Sequence, residues 1–159
     1  MKSIAHQDFL FIDNNFSVNE NIFYARATKN IFFYDQLITS IYFMLWVPPD
    51  YKNSYAELHR ALMNLSWIDE EYILLRHHIV PTIDPHDLVQ YLDILTHAVI
   101  DNQSDKKFGV VFDLECYDEI QEIKTKYLLD TVKRFNISGR VEYISPHYQK
   151  FIHNMNLSG

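Results

Sequence analysis

The chain has 159 residues, 48% of them hydrophobic and 15% aromatic, with only three glycines, a composition that excludes a disordered or low-complexity protein. The formal net charge of −7 is unevenly placed, because residues 1–116 carry 16 acidic and 8 basic side chains and residues 117–159 carry 5 and 6. An acidic body repels phosphate backbones and so disfavours direct nucleic-acid binding, while it favours a basic partner or serves solubility alone.

The cysteine count and the apolar runs bear on the compartment. Cys116 is the only cysteine, so no intramolecular disulfide can form and a reducing environment is expected. The N-terminal residues lack the apolar run and small-residue cleavage pattern of a signal peptide, and no stretch has the roughly 20 apolar residues of a membrane span. These features predict a cytoplasmic protein that does not enter a membrane.

Two strands and a helix are predicted in the first third of the chain. Residues 8–13 and 21–27 are short, aromatic-rich and polar at their ends, which is typical of strands. The run from Tyr34 to Trp46 is apolar on more than half of its circumference and predicts a mostly buried helix. Pro48 and Pro49 end it, because proline has no amide proton with which to continue a helix.

A second helix is predicted to begin after Ser54. Ser54 and Glu57 have the spacing of a capping box, in which the serine oxygen accepts from the third helical N–H and the glutamate reaches back to the N-cap amide. Four residues at helical spacing form its apolar stripe, namely Tyr55, Leu58, Leu62 and Leu65. This phase leaves His59 and Arg60 exposed to solvent.

Continuous apolar runs at residues 72–75 and 108–112 predict two strands that are buried on both faces. Between them Asp84 and Pro85 begin a helix, whose buried face is formed by Leu88, Leu92, Leu95 and Val99. The last predicted elements are a helix from Asp118 to about Phe135, a strand from Arg140 to Ile144 and a short amphipathic tail. Strands that alternate with helices predict an α/β fold with a small, mainly parallel sheet packed against helices, in a single domain over residues 1–159.

The residues that could carry catalysis or hold a metal form no recognisable constellation. Of the eight histidines, the adjacent His77 and His78 point to opposite faces of a strand, and His86 and His97 stand three turns apart. With no HxxxH pair and one cysteine, no zinc site is predicted. Cys116 follows a buried strand, where active-site residues often lie, but a lone cysteine is more commonly an apolar filler. Glycine-rich phosphate loops are absent, so no cofactor and no catalytic residue are expected.

Several short motifs stand in a specific order between Phe23 and Phe112. They are Ala25-Arg26, Pro49-Asp50-Tyr51, Ala61-Leu62 with Leu65 and Trp67-Ile68, His77 with Pro81, Tyr91-Leu92 with Ile94-Leu95 and Ala98-Val99, and Val110-Val111-Phe112. In this order they resemble the barstar family of ribonuclease inhibitors, with extensions at both ends of the chain. The resemblance implies a small sheet of parallel strands wrapped by helices, no catalysis, and a cytoplasmic inhibitor that plugs the active site of a nuclease.

The resemblance also implies a binding site. Members of the family use the loop before the second helix and the exposed face of that helix, where aromatic and acidic groups occupy the basic cleft that binds RNA phosphates. In this chain the predicted partner-binding residues are Asp50, Tyr51, Asn53, Ala56, Glu57, His59 and Arg60. Asp50 and Glu57 can supply carboxylates, Glu57 is expected mainly to cap the helix, and Tyr51 is expected to be the aromatic anchor of the loop.

Four positions depart from the pattern of the family. Lys52 replaces a glycine and Ser54 an asparagine, while Ala56 and Arg60 stand where the family has acids. The reversed charge at Arg60 argues against the usual target of the family. The target therefore need not be that ribonuclease.

The leading interpretation is a barstar-like inhibitor or immunity protein that blocks a cognate toxin, a ribonuclease or another basic nuclease, through residues 49–64. The alternative is a non-inhibitory regulatory or structural interaction module on the same scaffold, and an enzyme ranks third. No direct contact with nucleic acid or with a membrane is expected, and no oligomeric state is predicted.

Overall fold

The computed structural model describes residues 3–5, 8–13, 15–102, 104–127 and 145–157. Its strands are β1 (Ser3–Ala5), β2 (Phe9–Ile12), β3 (Phe16–Val18), β4 (Ile22–Arg26), β5 (Tyr72–His77), β6 (Lys107–Asp113) and β7 (Met155–Leu157). Its helices are α1 (Tyr34–Met44), α2 (Tyr55–Asn64), α3 (Pro85–Ile100), α4 (Tyr117–Tyr127) and α5 (Pro146–His153), and a 3₁₀ turn at Leu114–Cys116 precedes α4. The strand predicted at 140–144 and the last part of the helix predicted from residue 118 lie outside the described residues.

Five strands form one sheet in the order β1-β2-β6-β5-β4. Strands β2, β6, β5 and β4 are parallel to one another, with Ala25 opposite Leu75 and Leu75 opposite Val110, and β1 runs antiparallel to β2 at one edge. Strands β3 and β7 form a separate antiparallel pair. The predicted α/β fold, with a mainly parallel sheet packed against helices, is confirmed.

The larger core lies on the face of the sheet that α1, α2, α3 and α4 cover. Because side chains alternate along a strand, every second strand residue points to this face. These residues are Phe9, Phe11, Ala25, Ile73, Leu75, Phe108, Val110 and Phe112. The predicted stripe of α2 is buried except for Tyr55, which is partly buried, and the predicted buried face of α3 is buried throughout.

The opposite face of the sheet is covered by α5 and the β3–β7 pair. Its strand residues are Leu10, Ile12, Ile22, Leu74 and Val111. Gly109 allows α5 to approach closely, because a Cβ atom at this position would lie 2.9 Å from the Phe151 ring. The Tyr148 hydroxyl accepts from the Val110 N–H at 2.9 Å and donates to the Asp8 carbonyl at 2.5 Å. These two bonds attach α5 to the neighbouring strands β2 and β6.

Two ion pairs lie against the sheet, one buried and one partly buried. Lys124 of α4 pairs with Asp8, which directly precedes β2, and both side chains are almost fully buried. Arg76 near the end of β5 donates to Asp113 at 2.8 Å and lies 4.7 Å from the centre of the Phe16 ring. The first pair joins α4 to the beginning of β2, and the second joins the carboxyl ends of β5 and β6.

Helix α1 differs from its sequence-based prediction. Its inner side is buried through Leu37, Ile38 and Ile41, but Phe43 is 79% exposed and Trp46, beyond the end of the helix, is 77% exposed. The expectation of a mostly buried helix is therefore wrong for the outer side, because only one side of α1 contacts the sheet. Within the described ranges, the helices are too short or too polar to cross a lipid bilayer.

Candidate partner-binding surface

The loop that joins α1 to α2 folds back along α1. Asn53 Nδ2 donates to the Asp35 carbonyl at 3.2 Å and to Thr39 Oγ1 at 2.6 Å. The Tyr42 hydroxyl donates to the Lys52 carbonyl at 2.7 Å, and burial raises the pKa of Tyr42 to about 12. These bonds fix the loop on α1, so the amide of Asn53, a predicted partner-binding residue, is already engaged within the chain.

Ser54 caps α2 as predicted, because its side chain accepts from the Glu57 N–H at 3.2 Å. The reciprocal half of the predicted capping box is not formed. The Ser54 N–H donates instead to the Lys52 carbonyl at 3.1 Å, and the Glu57 carboxylate accepts from Arg60 Nε at 2.6 Å and from its terminal nitrogen at 3.2 Å. A guanidinium one turn further along the helix competes successfully with the N-cap amide for the carboxylate.

Tyr51 supports Arg60 from the other side. The guanidinium carbon of Arg60 lies 4.0 Å from the centre of the Tyr51 ring. That ring is only 9% exposed, packs against Trp67, and its hydroxyl accepts from Asn64 Nδ2 at 3.1 Å. The ring of Tyr51, which the sequence predicts as the aromatic anchor of the loop, is thus buried beneath Arg60.

The charges of Glu57 and Arg60 neutralise each other. The hydrogen bond from Arg60 is the main cause that lowers the pKa of Glu57, so the carboxylate stays ionised beside the guanidinium. Arg60 consequently does not require an acidic group on a partner. Asp50, in the loop before Tyr51, is exposed.

Ala56 and His59, on the other side of α2, border a groove of about 370 Å³ against α3. The groove is lined by Tyr55, Ala56, His59, Gln90, Asp93, Ile94 and His97. The rings of His59 and His97 have their centres 6.3 Å apart, and the two ring nitrogens of His97 face Asp93 at 3.3 Å and Asp101 at 3.4 Å. Helix α3 thus places carboxylates beside the side of α2 that carries Ala56 and His59.

Tyr55, which lines this α2–α3 groove, is held by contacts with α1 and α3. Tyr55 stacks on Tyr34 of α1 with ring centres 5.4 Å apart, and its hydroxyl donates to the Asp87 carbonyl at 3.3 Å. Burial and the nearby Asp87 raise the pKa of Tyr55, so the phenol stays neutral. Tyr55 therefore serves both the core, through its inner edge, and the groove wall.

The structure brings the predicted residues together only in part. Tyr51, Glu57 and Arg60 cluster on one side of α2, whereas Ala56 and His59 lie on the other. Sequence reasoning missed three neighbours of this surface, which are Tyr34, Asp93 and His97. Asp93 and His97 share one side of α3 by their four-residue spacing, but their position next to α2 depends on tertiary packing that no local pattern reveals.

Cys116 and the neighbouring histidines are poorly suited to covalent catalysis. Cys116 lies beside a cavity of about 700 Å³ between α3 and α4, and it is 5% exposed. Its thiol donates to the His78 carbonyl at 3.7 Å, and burial raises its pKa to about 12, which keeps it protonated and unreactive. His77 is fully buried against the Tyr91 hydroxyl, and burial lowers its pKa to about 3. No cluster of three or more potential metal ligands occurs within the described ranges.

Comparison with known proteins yields no relative from which a role could be transferred. No family model, no curated protein and no solved structure matches this chain. The geometry and charge of the surface formed by the loop, α2 and α3 are therefore the basis for assigning a function.

Proposed function

We propose that the chain is a barstar-like inhibitor or immunity protein that binds a cognate toxin, a basic nuclease, and blocks its active site. The observation that carries this proposal is the α2–α3 groove, in which the accessible Ala56 and His59 stand beside the Asp93 carboxylate. The surrounding body is acidic, since residues 1–116 contain 16 acidic and 8 basic side chains. Carboxylates presented in this way compete with phosphate groups for the lysines and arginines of a nuclease cleft.

The order of elements supports the proposal. The segment from β4 to β6 covers Ile22 to Asp113, which is the part of the chain that carries the barstar-like motifs. It forms three parallel strands with α1, α2 and α3 on one face, the kind of arrangement that the resemblance implies. A shared arrangement does not assign a function by itself, so the charge and shape of the surface remain the main argument.

The proposed interface differs from that of the barstar family in how it supplies negative charge. Asp50 in the loop and Asp93 on α3 provide the carboxylates, while Glu57 is neutralised by Arg60. The protein acts by occlusion in the cytoplasm, without catalysis, metal or cofactor, and this chain itself does not contact nucleic acid. An ion pair between Asp93 and a cationic side chain of the toxin fixes the relative position of the two proteins and also attracts them.

A non-inhibitory regulatory or structural module on the same scaffold is the second candidate. The replacement of two family acids by Ala56 and Arg60 favours it, as does the internal pairing of Arg60 with Glu57. The two candidates differ in the partner that they require. An inhibitor requires one basic toxin, whereas a structural module does not.

Affinity capture from the native host tests the proposal. The tagged chain is washed at low and then at high salt, and bound proteins are identified by mass spectrometry. One stoichiometric basic partner that salt releases is expected, because charge pairs at an interface rim are screened. Recovery of no specific partner, from cells shown to express candidate toxins, would favour the second candidate.

Variants then locate the interface. Ala56→Trp fills the α2–α3 groove and should weaken capture by about tenfold or more, because it blocks the centre of the contact. Ile79→Trp is the matched control, since it adds the same side chain at a position that is 39% exposed between β5 and α3. Arg60→Asp should strengthen capture of a basic partner, because it releases the Glu57 carboxylate and adds a second one beside it. Undiminished capture by Ala56→Trp would move the interface elsewhere.

A further inference from the structure

The outer side of α1 forms an aromatic surface that the proposed toxin site does not use. This surface, the α1 outer face, consists of Phe32, Phe33, Gln36, Thr39, Phe43 and Trp46. Its four apolar members are 60%, 64%, 79% and 77% exposed in that order. Side chains of this size are seldom left so exposed together on a monomer, and such patches mark interaction sites.

The backbone conformation at Trp46 also indicates that this surface is an interaction site. The Trp46 N–H donates to the Phe43 carbonyl at 3.3 Å and the Val47 N–H to the Tyr42 carbonyl at 2.9 Å, which closes α1 with Trp46 in the left-handed region at φ 57°. Glycine normally occupies this position because it has no Cβ to strain the backbone. Since the Trp46 ring is 77% exposed, packing within the monomer does not explain why tryptophan stands there.

The polar residues in the middle of the face are already satisfied. The Gln36 side-chain oxygen accepts from the N–H groups of Phe32 and Phe33 at 3.1 and 3.3 Å, and Thr39 Oγ1 accepts from Asn53. None of the six residues of the α1 outer face is charged, and Asp35, the only charged residue of α1, is not one of them. Burying these six side chains therefore desolvates few free hydrogen-bonding groups.

We propose that the α1 outer face is the contact between two copies of this chain, related by a two-fold axis with their α1 helices antiparallel. In that arrangement Phe43 and Trp46 at one end of each helix meet Phe32 and Phe33 at the start of the other, and Gln36 and Thr39 lie near the axis. A second copy fits better than a basic protein, because the face offers no carboxylates to recognise one. It also fits better than nucleic acid, because the face offers no cations.

The available area is sufficient for such a contact. An aromatic side chain buries about 150–250 Å² when fully covered, so the four exposed rings contribute roughly 500 Å² per copy. Two copies then bury about 1,000 Å² from these rings alone, which reaches the lower limit for a specific interface. The α2–α3 groove is not part of this contact, so a dimer could hold two toxin molecules. The dimer contact and the toxin site use different residues, so a test that rejects one of them leaves the other unaffected.

Molar mass measured by light scattering and sedimentation over about a hundredfold range of concentration tests the proposal. The chain of 19.0 kDa is expected to approach twice that mass as its concentration rises. Phe43→Ser and Trp46→Gly should each raise the dissociation constant by about tenfold or more, because each removes one of the four exposed aromatic side chains that form the contact. Ile79→Ser is the control, since it removes an exposed apolar side chain outside the face and should leave the mass unchanged.

A second readout separates loss of contact from loss of fold. Under dilute conditions, where the chain is monomeric, Trp46→Gly should melt at the same temperature as the natural chain or higher, while Phe43→Ser should melt at the same temperature. A monomer at every concentration would overturn the proposal. So would dimers whose affinity ignores both substitutions, or a different protein found to cover Phe43 and Trp46 in place of a second copy.

Discussion

Helices α1 and α2 are each followed by a residue in the left-handed backbone region, but the side chains of these two residues lie in opposite surroundings. Trp46, after α1, has φ 57°, and Leu65, at the end of α2, has φ 54°. The left-handed region costs a residue with a Cβ atom about 1–2 kcal/mol. Leu65 is fully buried in the main core, whereas Trp46 is 77% exposed. Burial offsets the strain at Leu65, whereas the exposed Trp46 ring gains no comparable burial, which agrees with the proposed contact between two copies.

Leu65→Gly should have the largest effect. It relieves the left-handed strain but removes a fully buried side chain and adds flexibility to the unfolded chain, so we expect a loss of about 3 kcal/mol in the free energy of unfolding. Urea denaturation followed by tryptophan fluorescence measures it. A loss below about 1 kcal/mol would show that burial does not anchor this helix end, and the contrast with Trp46 would disappear.

Acidification should lower the free energy of unfolding through the buried core, but it should not weaken the contact between two α1 outer faces. His77 stacks on Phe112 with ring centres 5.2 Å apart, and burial lowers its pKa from 6.5 to about 3. His77 therefore takes up a proton near pH 6.5 in the unfolded chain, but only near pH 3 in the folded chain. Stability from neutral His77 is complete above pH 6.5 and falls by up to about 1.4 kcal/mol per pH unit below it.

Denaturation of the natural chain and of His77→Gln at several pH values checks this expectation. Glutamine does not titrate, so the variant should show a shallower slope below about pH 6.5. Equal slopes would assign the acid sensitivity to other groups. The dimer dissociation constant should remain constant from about pH 7 to about pH 5.5, because no group of the α1 outer face titrates there.

Trp46→Gly should have the smallest effect, with the opposite sign from Leu65→Gly. Glycine removes the strain at this position and little packing is lost, so the monomer should gain about 0.5 kcal/mol in stability. The same urea titration, performed at low protein concentration, provides the measurement. A loss comparable to that of Leu65→Gly would show that the Trp46 ring supports the fold and would remove one argument for the dimer.

The sequence predicted the elements of this fold well, because their signals are local. The apolar runs of β5 and β6 and the start of α3 at Asp84 and Pro85 need no tertiary information. The cap at Ser54 is equally local. Alternation of these elements was sufficient to predict a mainly parallel sheet, since helical crossovers join parallel strands.

Features that depend on packing were missed. The apolar circumference of α1 suggested burial, but it could not reveal that only one side of the helix meets the sheet and that Phe43 remains exposed. Arg60 competes for Glu57 and covers Tyr51, which changed the expected role of all three residues. Of the groove, the sequence predicted Ala56 and His59 on α2 but not Asp93 on α3. Asp93 lies next to α2 because two helices that are far apart in sequence pack together.

The position of Tyr148 has a consequence for synthesis of the chain on the ribosome. Its hydroxyl bonds both Asp8 and Val110, and Phe16 pairs with Leu157 across β3 and β7. Contacts between such distant residues form slowly, because a long loop must close first. A nascent chain that lacks residues 145–157 contains the strands and helices of the face under α1, α2 and α3, while Leu10, Leu74 and Val111 lack the cover of α5 and β7. Shielding by a chaperone during translation should therefore benefit this protein more than a fold whose layers close in chain order.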